Sequence, residues 1–190
     1  MDWMTLAGKI EMYIERGDTE TCLNRVAAAL EKMPKTDFHR VLDAEFSNSP
    51  QQVADWFDRF LREQKKKFDV KCVYTETNGF DINTRRWYCY AHVYDSLIVS
   101  SNPGDYAERT SSSTEDLTLT GMEDVQAIYE DWDYDECDSE NESEARDMAS
   151  LLIVVKFQDL VRRSVPLTKE LAVPIAATGH GYDFIAHFNR

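Results

Sequence analysis

The stretch MASLLIVV, residues 148–155, is apolar on nearly every side. A surface helix keeps a polar face, so a run without one is predicted to be a helix passing through the core. Its surroundings fit one long helix over roughly 140–163. Glu140, Glu142 and Glu144 stand in its first turns and Arg162 and Arg163 at its end. That is the charge order a helix dipole favours.

The chain before it changes period once. Up to residue 67 the apolar residues fall at helical spacing: Leu6, Ile10 and Ile14, then Cys22, Val26 and Leu30, then Phe38 and Val41. Asp18 or Thr19 can cap the second helix. Ser49 is a good N-cap for a fourth, with Pro50 at its first position and Gln52 placed to close a capping box. Links this short favour antiparallel neighbours.

From Phe68 the pattern alternates. FDVKCVYTET and TRRWYCYAHVYD are rich in β-branched and aromatic residues, and Asn78-Gly79 between them is a hairpin signal. Trp87, Cys89, Ala91 and Val93 share one face, which reads as core. Tyr88, Tyr90, His92 and Tyr94 share the other, which is open to water, a helix or a ligand. SLIVSS, residues 96–101, is expected as a third strand, and residues 101–119 as the most loop-like part of the chain. Thr120 and Glu123 have capping-box spacing for the helix that follows. LAVPIAATGHGYDFIAHF is expected to close the chain as two short strands around a Gly-His-Gly turn. The whole reads as α+β, with N-terminal antiparallel helices, a small, mostly antiparallel sheet and one long buried C-terminal helix. The boundary falls between a helical subdomain over 1–67 and an α+β subdomain over 68–190, expected to form one compact unit.

The charge is unevenly placed. The 190 residues carry −14, but residues 121–147 hold twelve carboxylates against one basic residue, Arg146, a net −11. The rest holds 20 basic and 23 acidic residues, a net −3. Such a field repels nucleic acid and anionic membranes and draws in cations and basic protein surfaces. The centre of the segment is DWDYDECDSENE, residues 131–142.

Three readings compete for it. Asp131, Asp133, Asp135 and Glu142 fall at positions 1, 3, 5 and 12 of a loop that resembles the EF-hand pattern, which implies calcium. Against this, Glu136 stands where the turn glycine belongs, Asp138 stands where an apolar residue belongs, and no second loop exists. Ser139 and Glu142 have capping-box spacing, so the second half is explained as a helix start, and the remainder then reads as a solvated acidic loop. The third reading is a docking surface for a basic protein, formed by Asp131, Trp132, Asp133, Tyr134, Asp135, Glu136 and Asp138, with carboxylates steering and aromatics supplying anchor area.

Other chemistry is sparse. His39, His92, His180 and His187 form no zinc spacing, and there is no phosphate loop, dinucleotide fingerprint or marked nucleophile. The best enzymatic lead is His180 in TGHGYD, with Asp183 placed to orient the imidazole. The basic run REQKKK, residues 62–67, suits helix capping or contact with the acidic loop. Cys22, Cys72, Cys89 and Cys137 are widely spaced and form no short disulfide framework; their even number leaves bridges open, but three of them sit in apolar patterns that suit buried thiols in a reducing compartment. The N-terminal stretch has no signal-peptide character and nothing is long enough to span a membrane, so a cytoplasmic protein without cofactors is expected. In charge layout the chain resembles the small, acidic, catalytically silent proteins that neutralise basic toxin domains in bacteria. That likeness implies a non-enzymatic inhibitor of the immunity type.

Overall fold

A computed structural model describes residues 2–113, 115–132 and 140–189. Three helices come first: α1 (Trp3–Ile14), α2 (Thr19–Leu30) and α3 (Pro50–Gln64), with a 3₁₀ segment at Asp37–Leu42 between the last two. Their starts are chemically specified. Asp2 accepts from the Thr5 N–H at 2.8 Å and Asp18 from the Thr21 N–H at 3.1 Å. At α3 the Ser49 hydroxyl accepts from the Gln52 N–H at 3.2 Å, and the Gln52 side chain accepts from the Ser49 N–H at 2.7 Å. Each bond satisfies a backbone donor that the first turn leaves without a partner.

The sheet has six strands: β1 (Cys72–Thr77), β2 (Tyr88–Tyr94), β3 (Ser111–Ser112), β4 (Leu117–Thr118), β5 (Ile175–Gly179) and β6 (Ala186–Phe188). The order is β3-β2-β1-β5-β6, with β4 also on β2. The β1–β5 pair is parallel and the other pairs are antiparallel. Helix α4 (Glu123–Asp131) precedes α5 (Glu140–Ser164).

Helix α5 is the centre of the protein. Every residue from Met148 to Gln158 is buried, and the helix meets α1, α2 and α3 as well as β5. One apolar cluster joins Ile10, Val26 and Phe57 to Leu152, Val93 and Ile175. The donor groups of the polar side chains within the buried run find partners, while Gln158 Oε1 has none among the described residues. Lys156 donates to the Ala44 carbonyl and to Glu45 Oε1, the latter at 2.7 Å. Gln158 Nε2 donates to the carbonyls of Ala177 and Phe184 at 3.0 and 2.6 Å. Among the described residues no helix is long and apolar enough to cross a membrane.

Three local expectations are corrected. The hairpin does not turn on Asn78-Gly79. Thr77 pairs with Cys89, so residues 78–88 lie between the paired ends, and Gly79 has no positive φ. Asn78 acts instead as the clasp of a long loop. Its Oδ1 accepts from the Tyr88 N–H at 2.9 Å, and its Nδ2 reaches the carbonyls of Asn83 and Arg86. SLIVSS is not a strand, and Leu97 and Val99 are 64% and 65% exposed. The edge of β2 it would have needed is taken by β3 and β4, both from the stretch expected to be loop. Thr120 and Glu123 form no capping box. The Glu123 carboxylate accepts from the Gly121 N–H at 2.9 Å, while the Thr120 hydroxyl is 2.8 Å from that of Ser47.

Candidate functional site

The faces of the sheet separate as the alternation requires. Trp87, Cys89, Ala91 and Val93 enter the main core. Tyr88, Tyr90, His92 and Tyr94 take the outer face, so Cys89 and His92 point apart. Half of that outer face is covered. Tyr106, from the segment after β2, stacks on Tyr74 with ring centres 4.6 Å apart. The Tyr94 hydroxyl donates to the Tyr106 carbonyl at 2.6 Å, and the Tyr106 hydroxyl lies 3.1 Å from His187 Nε2.

The other half holds a cluster centred on Glu76 of β1. Register places Glu76 opposite Tyr90 and Tyr74 opposite His92. The Tyr90 hydroxyl donates to Glu76 Oε1 at 2.6 Å and the Tyr74 hydroxyl to Oε2 at 3.1 Å. His92 Nε2 lies 4.0 Å from Oε1, and His180 Nδ1 lies 3.5 Å from Oε2. The Glu76 side chain is 13% exposed and that of His180 60%. Burial, then the neighbouring carboxylate, holds the Tyr74 and Tyr90 phenols well above their ordinary range. Burial, with Arg109 adding to it, pushes His92 down to about 4, so its imidazole is neutral at pH 7. Its Nδ1 lies 2.8 Å from the Ser112 hydroxyl.

His180 sits where expected, at the tip between β5 and β6. Gly181 follows it with φ +82°, and the Tyr182 N–H closes the turn on the Gly179 carbonyl. The carboxylate that meets it is Glu76, however, and the expected Asp183 is exposed. A carboxylate beside an imidazole is two parts of a nucleophilic-catalysis constellation. Among the described residues no serine, threonine or cysteine side chain pairs with His180, and its neighbours are Tyr90 and Glu76. Glu76 was the residue missed. The available signal was a lone carboxylate on the face of a strand otherwise lined by Cys72 and Tyr74, opposite a tyrosine-rich partner.

The acidic segment is described at its two ends. Asp133, Tyr134, Asp135, Glu136 and Asp138 lie outside the described residues, as do Cys137 and Ser139. Asp131 ends α4 and is exposed, as are Glu130 before it and Glu140 and Glu144 on α5. Glu142 is half-buried in the first turn of α5. Of the residues with calcium-loop spacing, Asp131 and Glu142 are therefore placed and Asp133 and Asp135 are not. Among the described residues no group of three or more His, Cys, Asp or Glu could hold a metal ion.

Trp132 is half-buried against the core, edge-on to Phe38 at 6.3 Å, with the Arg146 guanidinium 4.4 Å from its ring centre. The two helix ends are joined further where the Tyr129 hydroxyl meets Ser150 Oγ at 2.8 Å. Loop 78–87 links this acidic end to the Glu76 cluster. A Cβ on Gly79 would lie 3.6 Å from the His180 ring, Arg146 donates to the Asp81 carbonyl at 2.9 Å, and Arg85 lies 3.9 Å from Glu130. In the basic run, Arg62 and Lys65 pair with Glu170 and Lys66 with Glu63. Comparison with protein-family models, with curated proteins and with solved structures returns no match for this chain.

Proposed function

We propose that this chain is a non-enzymatic acidic binding module that docks a basic protein surface, in the manner of an inhibitor or immunity protein. The observation that supports it is the position of Arg146. It is the one basic residue among residues 121–147, and its side chain is turned inward, 12% exposed, onto Trp132, Tyr129 and the Asp81 carbonyl. The carboxylates of Glu130, Asp131, Glu140 and Glu144 face solvent. Arg146 thus packs inward and, among the described residues, pairs only with its neighbour Asp147, while these four carboxylates stay outward, where they steer a positive partner and accelerate encounter.

The test is capture of the partner by the wild-type chain and by the Asp131→Asn, Asp133→Asn, Asp135→Asn triple variant. The variant should fold normally and lose capture mostly through a slower on-rate, with the difference largest at low salt. Equal capture at low salt would remove the acidic segment from the interface.

A further inference from the structure

The charge of Glu76 has an unusual environment. Its side chain is mostly buried, yet among the described residues no lysine or arginine lies within ion-pair distance of it. Its hydrogen-bonding compensation comes from two phenol O–H groups, with the His180 ring 3.5 Å away and His92, neutral at pH 7, 4.0 Å away. A mostly buried carboxylate is costly without a cation close by. Each of its oxygens accepts one tyrosine hydrogen bond and keeps a lone pair for a further donor.

The surroundings say which cation fits. Tyr88 and Tyr90 stand beside one another on β2, half-buried, with ring centres 6.2 Å apart. The Tyr88 ring already takes a guanidinium within the chain, since the Arg86 Cζ lies 5.0 Å from its centre. Aromatic faces next to a carboxylate suit a planar guanidinium, which stacks and forks at once, better than an ammonium. A metal ion is disfavoured because the described residues offer no three-ligand set. The side chain that must yield is His180, which is exposed and stands between Gly179 and Gly181.

We infer that the open end of the sheet, formed by Glu76, Tyr88, Tyr90 and His180, receives an arginine side chain of the basic partner. The inference deepens the binding reading above and rests on it for the charge of that partner. Loop 78–87 makes the two regions neighbours, so one protein surface reaches the acidic end and the arginine site together.

The probe is an acetylated hexa-arginine amide, with the hexa-lysine amide as comparator, titrated at low ionic strength and followed by calorimetry and by the NMR signal of the His180 ring. The wild-type chain should prefer the arginine peptide and show a saturable shift of His180. Glu76→Gln should lose about tenfold in affinity for hexa-arginine and the preference over lysine. Should Glu76→Gln fail to fold by circular dichroism, Tyr88→Ala takes its place, with the same loss of preference expected. Unchanged affinity and preference in the folded variant, or a His180 signal that does not move in the wild type, would overturn the inference. The Glu130→Gln, Asp131→Asn, Glu140→Gln variant separates the two claims. If it weakens binding while Glu76→Gln does not, the acidic end stands and the arginine site falls. If only Glu76→Gln weakens binding, the arginine site stands and the acidic end falls.

Discussion

The Arg146 guanidinium lies 4.4 Å over the ring centre of Trp132 and 5.6 Å from that of Tyr129. Trp132 follows α4 and Arg146 lies in the second turn of α5, so this stack joins the two helix ends that frame the acidic segment. It sets where exposed carboxylates from both helices are presented.

Removing the stack should therefore destabilise the protein. Arg146→Ala loses the ring contacts and the 2.9 Å bond to the Asp81 carbonyl. The expected cost is roughly 2–3 kcal/mol. Arg146→Met, which keeps a long apolar side chain over the ring, should cost less. Urea midpoints measure both, and a midpoint unchanged by Arg146→Ala would show that the helix ends are held by other contacts.

His92 should make stability depend on pH. In the unfolded chain the imidazole takes up its proton near 6.5, and in the folded chain near 4. The unfolded state therefore binds more protons between those values. The contribution of neutral His92 is fully present above about 6.5, declines as pH falls, and is gone by about 4. Its order of magnitude is roughly 3 kcal/mol. His92→Gln should flatten this limb of the stability curve in urea titrations across that window. An identical slope in the variant would exclude His92 as its source.

Two glycines should respond in opposite directions to alanine. Gly121 has φ +99°, and a Cβ there would strike the Glu45 carbonyl oxygen and the Ser47 backbone nitrogen. Both atoms belong to the segment that Asn48 and Ser47 tie to residues 118–120. Gly121→Ala should cost about 3 kcal/mol. Gly8 is exposed within α1 with nothing within 4 Å of its Cβ position, so Gly8→Ala should add about 0.5–1 kcal/mol. Thermal melts of the pair decide the matter, and the same sign for both would contradict the packing around Gly121.

The placed cysteines should be inert in the folded protein. Cys22, Cys72 and Cys89 are buried and free, and burial pushes their thiols up, that of Cys22 to about 12. The thiolate is the reactive form, so modification of these three by a disulfide reagent should wait for unfolding. Rapid labelling of any of them in buffer, located by peptide mapping, would show an opening of the core that the structure lacks.

Much of the architecture was legible before any coordinates. Ser49, Pro50 and Gln52 announce the start of α3 because capping chemistry lies within four residues of itself. The all-round apolar run at 148–155 predicts a buried helix because no surface helix tolerates it. The hairpin tip at His180 was legible from two flanking glycines. Other expectations failed where local chemistry met a distant competitor. Asn78-Gly79 has the residues of a tight turn, but the Asn78 side chain closes a longer loop. SLIVSS has strand composition, but β3 and β4 hold the edge it needed.

The division follows from the range of the forces involved. Helix periods, caps and alternating strand faces are set by neighbours a few residues apart, so the sequence by itself determined the helical N-terminal layer, the central place of α5 and the split faces of β2. The meeting of Glu76 with Tyr90 and His180 depends on strand register and on the parallel placement of β5 beside β1. Those pairings bring together residues 14 and 104 positions away from Glu76. Only the tertiary structure decided that a strand carboxylate faces tyrosines and an exposed imidazole with, among the described residues, no lysine or arginine within ion-pair distance, because register is settled by the burial of the whole opposite face against α5.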